Sequence, residues 1–91
     1  MAHVKFTRHL VRFFPTLGSQ VEVNGRIIAD IIAELDQQYP GLASYIVNER
    51  GAVRRHVNIF VGGDLIKDRE TLQDPVQENE QIYIFQALSG G

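Results

Sequence analysis

One extended stretch of this chain places its apolar residues at helical intervals, and it decides what the rest can form. Ile28, Ile31, Ile32 and Leu35 recur as one helix face requires, with Asp30, Glu34 and Gln37 on the other. Tyr39-Pro40-Gly41 ends the segment, because proline cannot continue a helix and glycine accepts a left-handed exit. Its start is weaker: Ile27 stands where a Ser, Thr or Asp would cap the first turn. Around this helix the spacing is that of strands. Val4 and Phe6 alternate with Lys5 and Thr7; Val21 and Val23 resume the alternation, and Asn24-Gly25 closes it. Val57, Ile59 and Val61 alternate with His56, Asn58 and Phe60, and Gly62-Gly63-Asp64 reads as a tight turn into Leu65-Ile66. Gln81–Phe85 sets Ile82 and Ile84 on one face and Tyr83 and Phe85 on the other. The pattern predicts an α+β fold, a sheet with one main helix across one face.

The connections are read from their breakers. His9 to Ser19, with Pro15 and Gly18, reads as a long hairpin loop. Leu42 to Val47 adds a short helical turn, ended by Asn48-Glu49-Arg50-Gly51. Thr71, Leu72 and Asp74 suggest one helical turn before Pro75, and Glu78-Asn79-Glu80 turns into the last strand. No repeat, linker or low-complexity run divides the chain. One domain over residues 1–85 and a flexible C-terminal tail over 86–91 are expected.

Composition excludes more than it specifies. At 91 residues the chain has little volume for a deep cofactor pocket. With no cysteine it can form no disulfide framework, thiolate zinc site, iron–sulfur cluster or cysteine nucleophile. A formal charge of −2 argues against nucleic acid as the default partner. No apolar run approaches the ~18–20 residues that span a bilayer, and the N-terminus lacks a signal-peptide core, so a cytoplasmic protein without membrane contact is expected. Charge is uneven along the chain. Lys5, Arg8, Arg12 and Arg26 make the first segment basic, whereas Asp30, Glu34, Asp36 and Glu49 make the next acidic. These are solvated faces, or a dipole that orients a partner.

Side chains suited to catalysis are scarce. His3, His9 and His56 lack the spacing of a metal site and read as surface histidines. Ser19, Ser44 and Ser89 have no nucleophile elbow around them. Arg54-Arg55-His56, beside Phe60, is too short a basic run for single-stranded nucleic acid in so acidic a chain. No catalytic residue and no metal ligand is expected. The informative feature is the end, Gln86-Ala87-Leu88-Ser89-Gly90-Gly91. Six extended residues reach about 20 Å, beyond the ~12 Å radius of a globule this size. Two glycines offer no side chain to block a narrow channel, and Gly90 can take backbone angles closed to other residues. Alone, such an end is equally what a frayed tail or an expression scar would leave.

The order of elements with a terminal Gly-Gly resembles the β-grasp of ubiquitin and of the MoaD/ThiS sulfur carriers, which implies an α+β, mixed four- to five-stranded sheet with one main helix across one face. Phe60-Val61-Gly62-Gly63, Ile66, Thr71-Leu72, Asp74 and Ile82-Tyr83-Ile84-Phe85 through Gly91 look like the second half of ubiquitin. His56-Val57-Asn58-Ile59-Phe60-Val61, Tyr39-Pro40-Gly41-Leu42 and Ala87-Leu88-Ser89-Gly90-Gly91 look closer to MoaD/ThiS proteins. Within these the chain is most similar to the branch that includes the sulfur carrier of cysteine biosynthesis. The resemblance spans the whole chain. It departs in the hairpin loop, longer here than in ubiquitin, and at Ile27, where many relatives have a threonine cap.

The resemblance implies a carrier substrate, not an enzyme. An activating enzyme of the ubiquitin-activating type uses ATP to adenylate the Gly91 carboxylate. A sulfur donor protein's persulfide then displaces AMP, leaving a thiocarboxylate for a downstream sulfur-accepting enzyme. No cofactor is bound by the chain itself; the covalent sulfur sits on Gly91. Ala87, Leu88, Ser89 and Gly90 thread into the partner. Phe60 and Phe85 share the strand parity opposite the helix and correspond to the hydrophobic patch on which relatives dock, with His56, Asn58 and Tyr83 as its rim. Alternatively, long neighbours such as Lys5 and Arg54 cover them as a second core. Three functions remain open: sulfur carriage, as in a molybdopterin synthase small subunit; ubiquitin-like conjugation of Gly91 to target lysines; and a non-covalent β-grasp adaptor.

Overall fold

The apolar face at Ile28, Ile31, Ile32 and Leu35 is buried along a helix, α2, that runs Ile28–Gln38. The computed structural model describes residues 1–12, 14–18 and 20–86, with His9 described in its backbone alone. Strands β1 (Ala2–Phe6), β2 (Gln20–Val23), β3 (Val57–Val61), β4 (Asp64–Leu65) and β5 (Gln81–Gln86) form one five-stranded sheet in the order β2-β1-β5-β3-β4. β1 and β5 are parallel, with Val4 opposite Ile82; the other neighbours are antiparallel. The sheet is therefore mixed, and β5 lies at its centre. Val4, Ile59, Ile82 and Ile84 face α2, and Leu42 and Ile46 close one side of the core, all essentially inaccessible to solvent.

The sheet ends one residue later than the alternation suggested. Gln86 pairs with Val57, so β5 takes in the first residue assigned to the tail. Residues 87–91, including Ala87, Leu88, Ser89, Gly90 and Gly91, lie outside the described residues. The Gly62-Gly63 turn is as expected. Both residues have positive φ, 58° and 92°, which lets the β3–β4 hairpin close in two residues.

The region between β1 and β2 is more ordered than a loop. It opens with a short helix, α1 (Arg8–Val11), and buries Leu10 and Leu17 in the core. Phe14 sets its ring edge-on to Tyr45, 5.4 Å between centroids at 89°. Tyr45 belongs to α3 (Ala43–Ile46), the short helical turn expected after Pro40. Asp36 supports that exit, its Oδ1 accepting from the N–H groups of Gly41 at 3.1 Å and Ala43 at 3.0 Å.

The helical turn expected at Thr71 forms as a single turn, closed by Leu72 N donating to the Asp68 carbonyl at 3.1 Å. The Asp68 carboxylate caps it, gathering the N–H groups of Glu70, Thr71 and Gln73 and the Thr71 hydroxyl. Leu72, buried at the centre of this loop, takes a positive φ of 54°. Its carbonyl accepts from Ala29 N at 2.9 Å, and the Asp74 carbonyl from Ile28 N at 3.1 Å. These carbonyls satisfy N–H groups that a capping side chain at Ile27 would otherwise serve.

Candidate docking face and the root of the C-terminal segment

With α2 covering one side, the odd-numbered residues of β5 and the even-numbered residues of β3 must face away from it. The register aligns Leu65, Phe60, Tyr83, Lys5 and Gln20 in one row across all five strands. Asn58 and Phe85 form the row beside it. Tyr83 is the hub: its ring centroid lies 6.4 Å from that of Phe60 and 6.1 Å from that of Phe85, both at inclined angles. Leu65, Tyr83 and Phe85 keep 53%, 41% and 40% of their surface exposed. Lys5, Phe60 and Tyr83 also line a shallow cavity of about 440 Å³. This is an apolar patch with specific ring geometry on an open sheet face.

Phe60, Phe85, Tyr83 and Asn58 thus come together. Asn58 is held there, its Oδ1 accepting from Arg69 Nη1 at 3.2 Å. His56 does not join them. Residues 55 and 56 form the turn before β3, so strand alternation does not extend to His56. Gln86 Nε2 stands 3.4 Å from His56 Nε2. His56 shares a depression of about 290 Å³ with Ser44, Tyr45, Arg54 and Gln86. Arg54 does not cover Phe60 or Phe85 either, because its Nε donates to the Ser44 carbonyl at 2.8 Å. Leu65 is the member that sequence reasoning missed. Its signal was the Gly-Gly turn, which fixes Leu65 opposite Phe60.

The root of the segment 87–91 is pinned from both neighbours. Gln86 N donates to Thr7 Oγ1 at 3.3 Å, and Gln86 is opposite Val57 on β3. Gly91 and residues 87–90 are outside the described residues, so their roles stand on the sequence. Among the described residues no group of three or more His, Asp or Glu side chains is placed to hold a metal ion. None of the described helices is long and apolar enough to cross a membrane.

The sequence model of the ThiS family matches residues 11–91, nearly the whole chain and all of the C-terminal segment. The chain belongs to the ThiS family. Solved structures share its β-grasp fold. The BexX/CysO complex of Amycolatopsis orientalis contains a chain similar at a TM-score of 0.84 and 20% identity, over 100% of both chains. Small archaeal modifier protein 1 of Methanosarcina acetivorans is similar at a TM-score of 0.79 and 23% identity, over 99% of this chain and 95% of that one. The complex of subunits 1 and 2 of the molybdopterin-converting factor from Helicobacter pylori matches at 0.59 and 18%, over 99% and 97%. No curated protein matches significantly by sequence.

Proposed function

We propose that this protein carries sulfur as a thiocarboxylate on Gly91. The observation that carries the reading is the union of a ThiS-family chain with an open aromatic face and a central strand that ends at Gln86, five residues before Gly91 in the sequence. With Gln86 paired in the sheet, residues 87–91 could still span about 17 Å when extended. A partner held on the Phe60–Tyr83–Phe85 face could then receive Gly91 in its own active site. The chain supplies reach and recognition; the activating enzyme supplies the acid–base and metal chemistry.

A carboxylate is a poor electrophile, so the first step attaches a leaving group. A Gly91 carboxylate oxygen attacks the α-phosphorus of ATP, pyrophosphate departs, and an acyl-adenylate forms. The terminal sulfur of a donor protein's persulfide attacks the acyl carbon, and AMP leaves with the bonding pair. A second thiol of the donor then cleaves the sulfur–sulfur bond, forming a disulfide with the donor and leaving the thiocarboxylate. Since the chain has no cysteine, no side-chain thiol of its own can intercept the sulfur.

The test is intact mass after incubation with ATP, a ThiS-type activating enzyme and a persulfide donor. Exchange of one oxygen for sulfur is expected, and deletion of Gly91 should abolish it. No exchange with several competent activating enzymes would overturn the reading. The similarity to a small archaeal modifier protein favours conjugation to lysines as the second reading. Lysine adducts in cells that vanish when Gly91 is deleted would establish it. Full function after removal of Gly90 and Gly91 would instead establish a non-covalent adaptor.

A further inference from the structure

At the β3–β4 edge, beside the aromatic row, a depression of about 620 Å³ is walled in part by Asn48, Arg55, Asn58, Leu65 and Arg69. The polar side chains in that wall present donors, and the way the two amides are held explains why. Asn48 Oδ1 accepts from the N–H groups of Arg50 at 2.9 Å and Ala52 at 3.2 Å. Asn58 Oδ1 accepts from Arg69 Nη1 at 3.2 Å. Backbone N–H and guanidinium groups can be met only by an amide's oxygen, so both carboxamides have their NH₂ ends left over. Arg69 also donates from Nη2 to the Arg54 carbonyl at 2.8 Å, which fixes its plane while leaving further N–H donors. Arg55 is exposed, and its side chain has no hydrogen bond or ion pair among the described residues.

No carboxylate lines the depression. Asp68, next to Arg69 in sequence, turns its oxygens onto the N–H groups of Glu70, Thr71 and Gln73. Glu49 and Glu70 lie in the adjoining loops but not in the wall. A recess with two guanidiniums, two amide NH₂ groups and no carboxylate is complementary to an oxyanion.

We propose that this recess anchors an Asp or Glu side chain of the protein partner that docks on the aromatic face. Position identifies the occupant. Leu65 belongs both to the recess and to the apolar row through Phe60 and Tyr83, so a surface covering that row lays its own side chains over the recess. Arg69 offers a pre-set planar fork to the two carboxylate oxygens, and Arg55 closes from the rim. The choice of a protein-borne carboxylate rests on the docking reading of that face; the donor geometry stands without it.

The experiment is a nuclear magnetic resonance titration of the full ¹⁵N-labelled chain at low salt. Its readouts are the Asn48 and Asn58 NH₂ signals and the Arg55 and Arg69 Nε–H signals. The probes are the blocked peptide Leu-Asp-Glu-Leu, its neutral counterpart Leu-Asn-Gln-Leu, the peptide Gly-Asp-Glu-Gly, and inorganic phosphate. Saturable shifts with Leu-Asp-Glu-Leu are expected, with binding at least about tenfold weaker for the neutral peptide. Arg69→Gln should give a similar loss, and so should Arg55→Gln, which alters an exposed side chain and leaves the fold intact. Equal shifts from acidic and neutral peptides, or unchanged affinity in both variants, would overturn the proposal. So would phosphate or Gly-Asp-Glu-Gly binding as tightly as Leu-Asp-Glu-Leu, since the occupant would then be any small anion. The titration uses no ATP, sulfur or activating enzyme, so its failure and a failure of thiocarboxylation are separate results.

Discussion

Ile84 and Phe85 are consecutive residues on opposite faces of one strand, so the same substitution should have opposite consequences. Ile84 is fully buried against α2, and Ile84→Ala should lower the unfolding free energy by about 2–5 kcal/mol, read from urea midpoints. Phe85 is 40% exposed and its ring meets Tyr83; Phe85→Ala should cost less than about 1 kcal/mol while weakening binding of the activating enzyme that we propose docks there. A stability loss as large as that of Ile84→Ala would make Phe85 core. Gly25 is constrained for another reason. A Cβ there would stand 2.8 Å from Ile31 Cδ1 and 2.9 Å from Asp30 Cβ, at the start of α2. Gly25→Ala should therefore destabilise the fold by about 1–3 kcal/mol in the same assay, because Asp30 Cβ and the Ile31 amide nitrogen, 3.1 Å away, are fixed by the helix backbone. Parity made the roles of Ile84 and Phe85 readable from the sequence. The clash at Gly25 was not readable, because it arises only when the turn after β2 folds onto a helix.

The start of α2 and the loop that follows β4 form one unit, joined through the carbonyls of Leu72 and Asp74. Asp68 organises that loop, and its hydrogen bonds, that of the Thr71 hydroxyl foremost, hold its carboxyl down to about 2 from the ordinary 3.8. A depressed pKa in the folded state means the contribution is complete above 3.8 and is lost as pH falls through about 2. The amide shifts of Glu70, Thr71 and Ala29 should follow a titration centred near about 2, and in Asp68→Asn that titration should vanish. A midpoint near 3.8 would mean that the carboxylate does not hold the loop. The main helix and the longer strands were legible because their apolar periods are long enough to exclude other periods. The loop was legible only as its one turn. The spacing of Thr71, Leu72 and Asp74 shows that turn, but not that it stops at Leu72, whose positive φ leaves no mark on an apolar period. The Leu10 and Leu17 anchors escaped for a related reason: α1 is a single turn and shows no period. The donor-lined recess was least legible, since the orientation of Asn48 and Asn58 depends on hydrogen bonds formed only in the folded chain.

Across the whole molecule, two antiparallel pairs, β1–β2 and β3–β4, are joined through β5. Alternation within a strand does not reveal which strands are neighbours, so the mixed sheet rested on family resemblance, and the pairing confirms it. One face of this sheet is spent on the core. The other carries the aromatic row, with Lys5 on one side and the arginine recess on the other. The central strand is also the last of the five described strands in chain order. Until residues 81–86 have left the ribosome, β1 and β3 lack their common neighbour, and the two hairpins have nothing to hold them together. A chain interrupted before that point cannot complete the sheet. A cut before residue 81 thus removes the strand that both hairpins need, whereas a cut after Gln86 leaves all five strands in place.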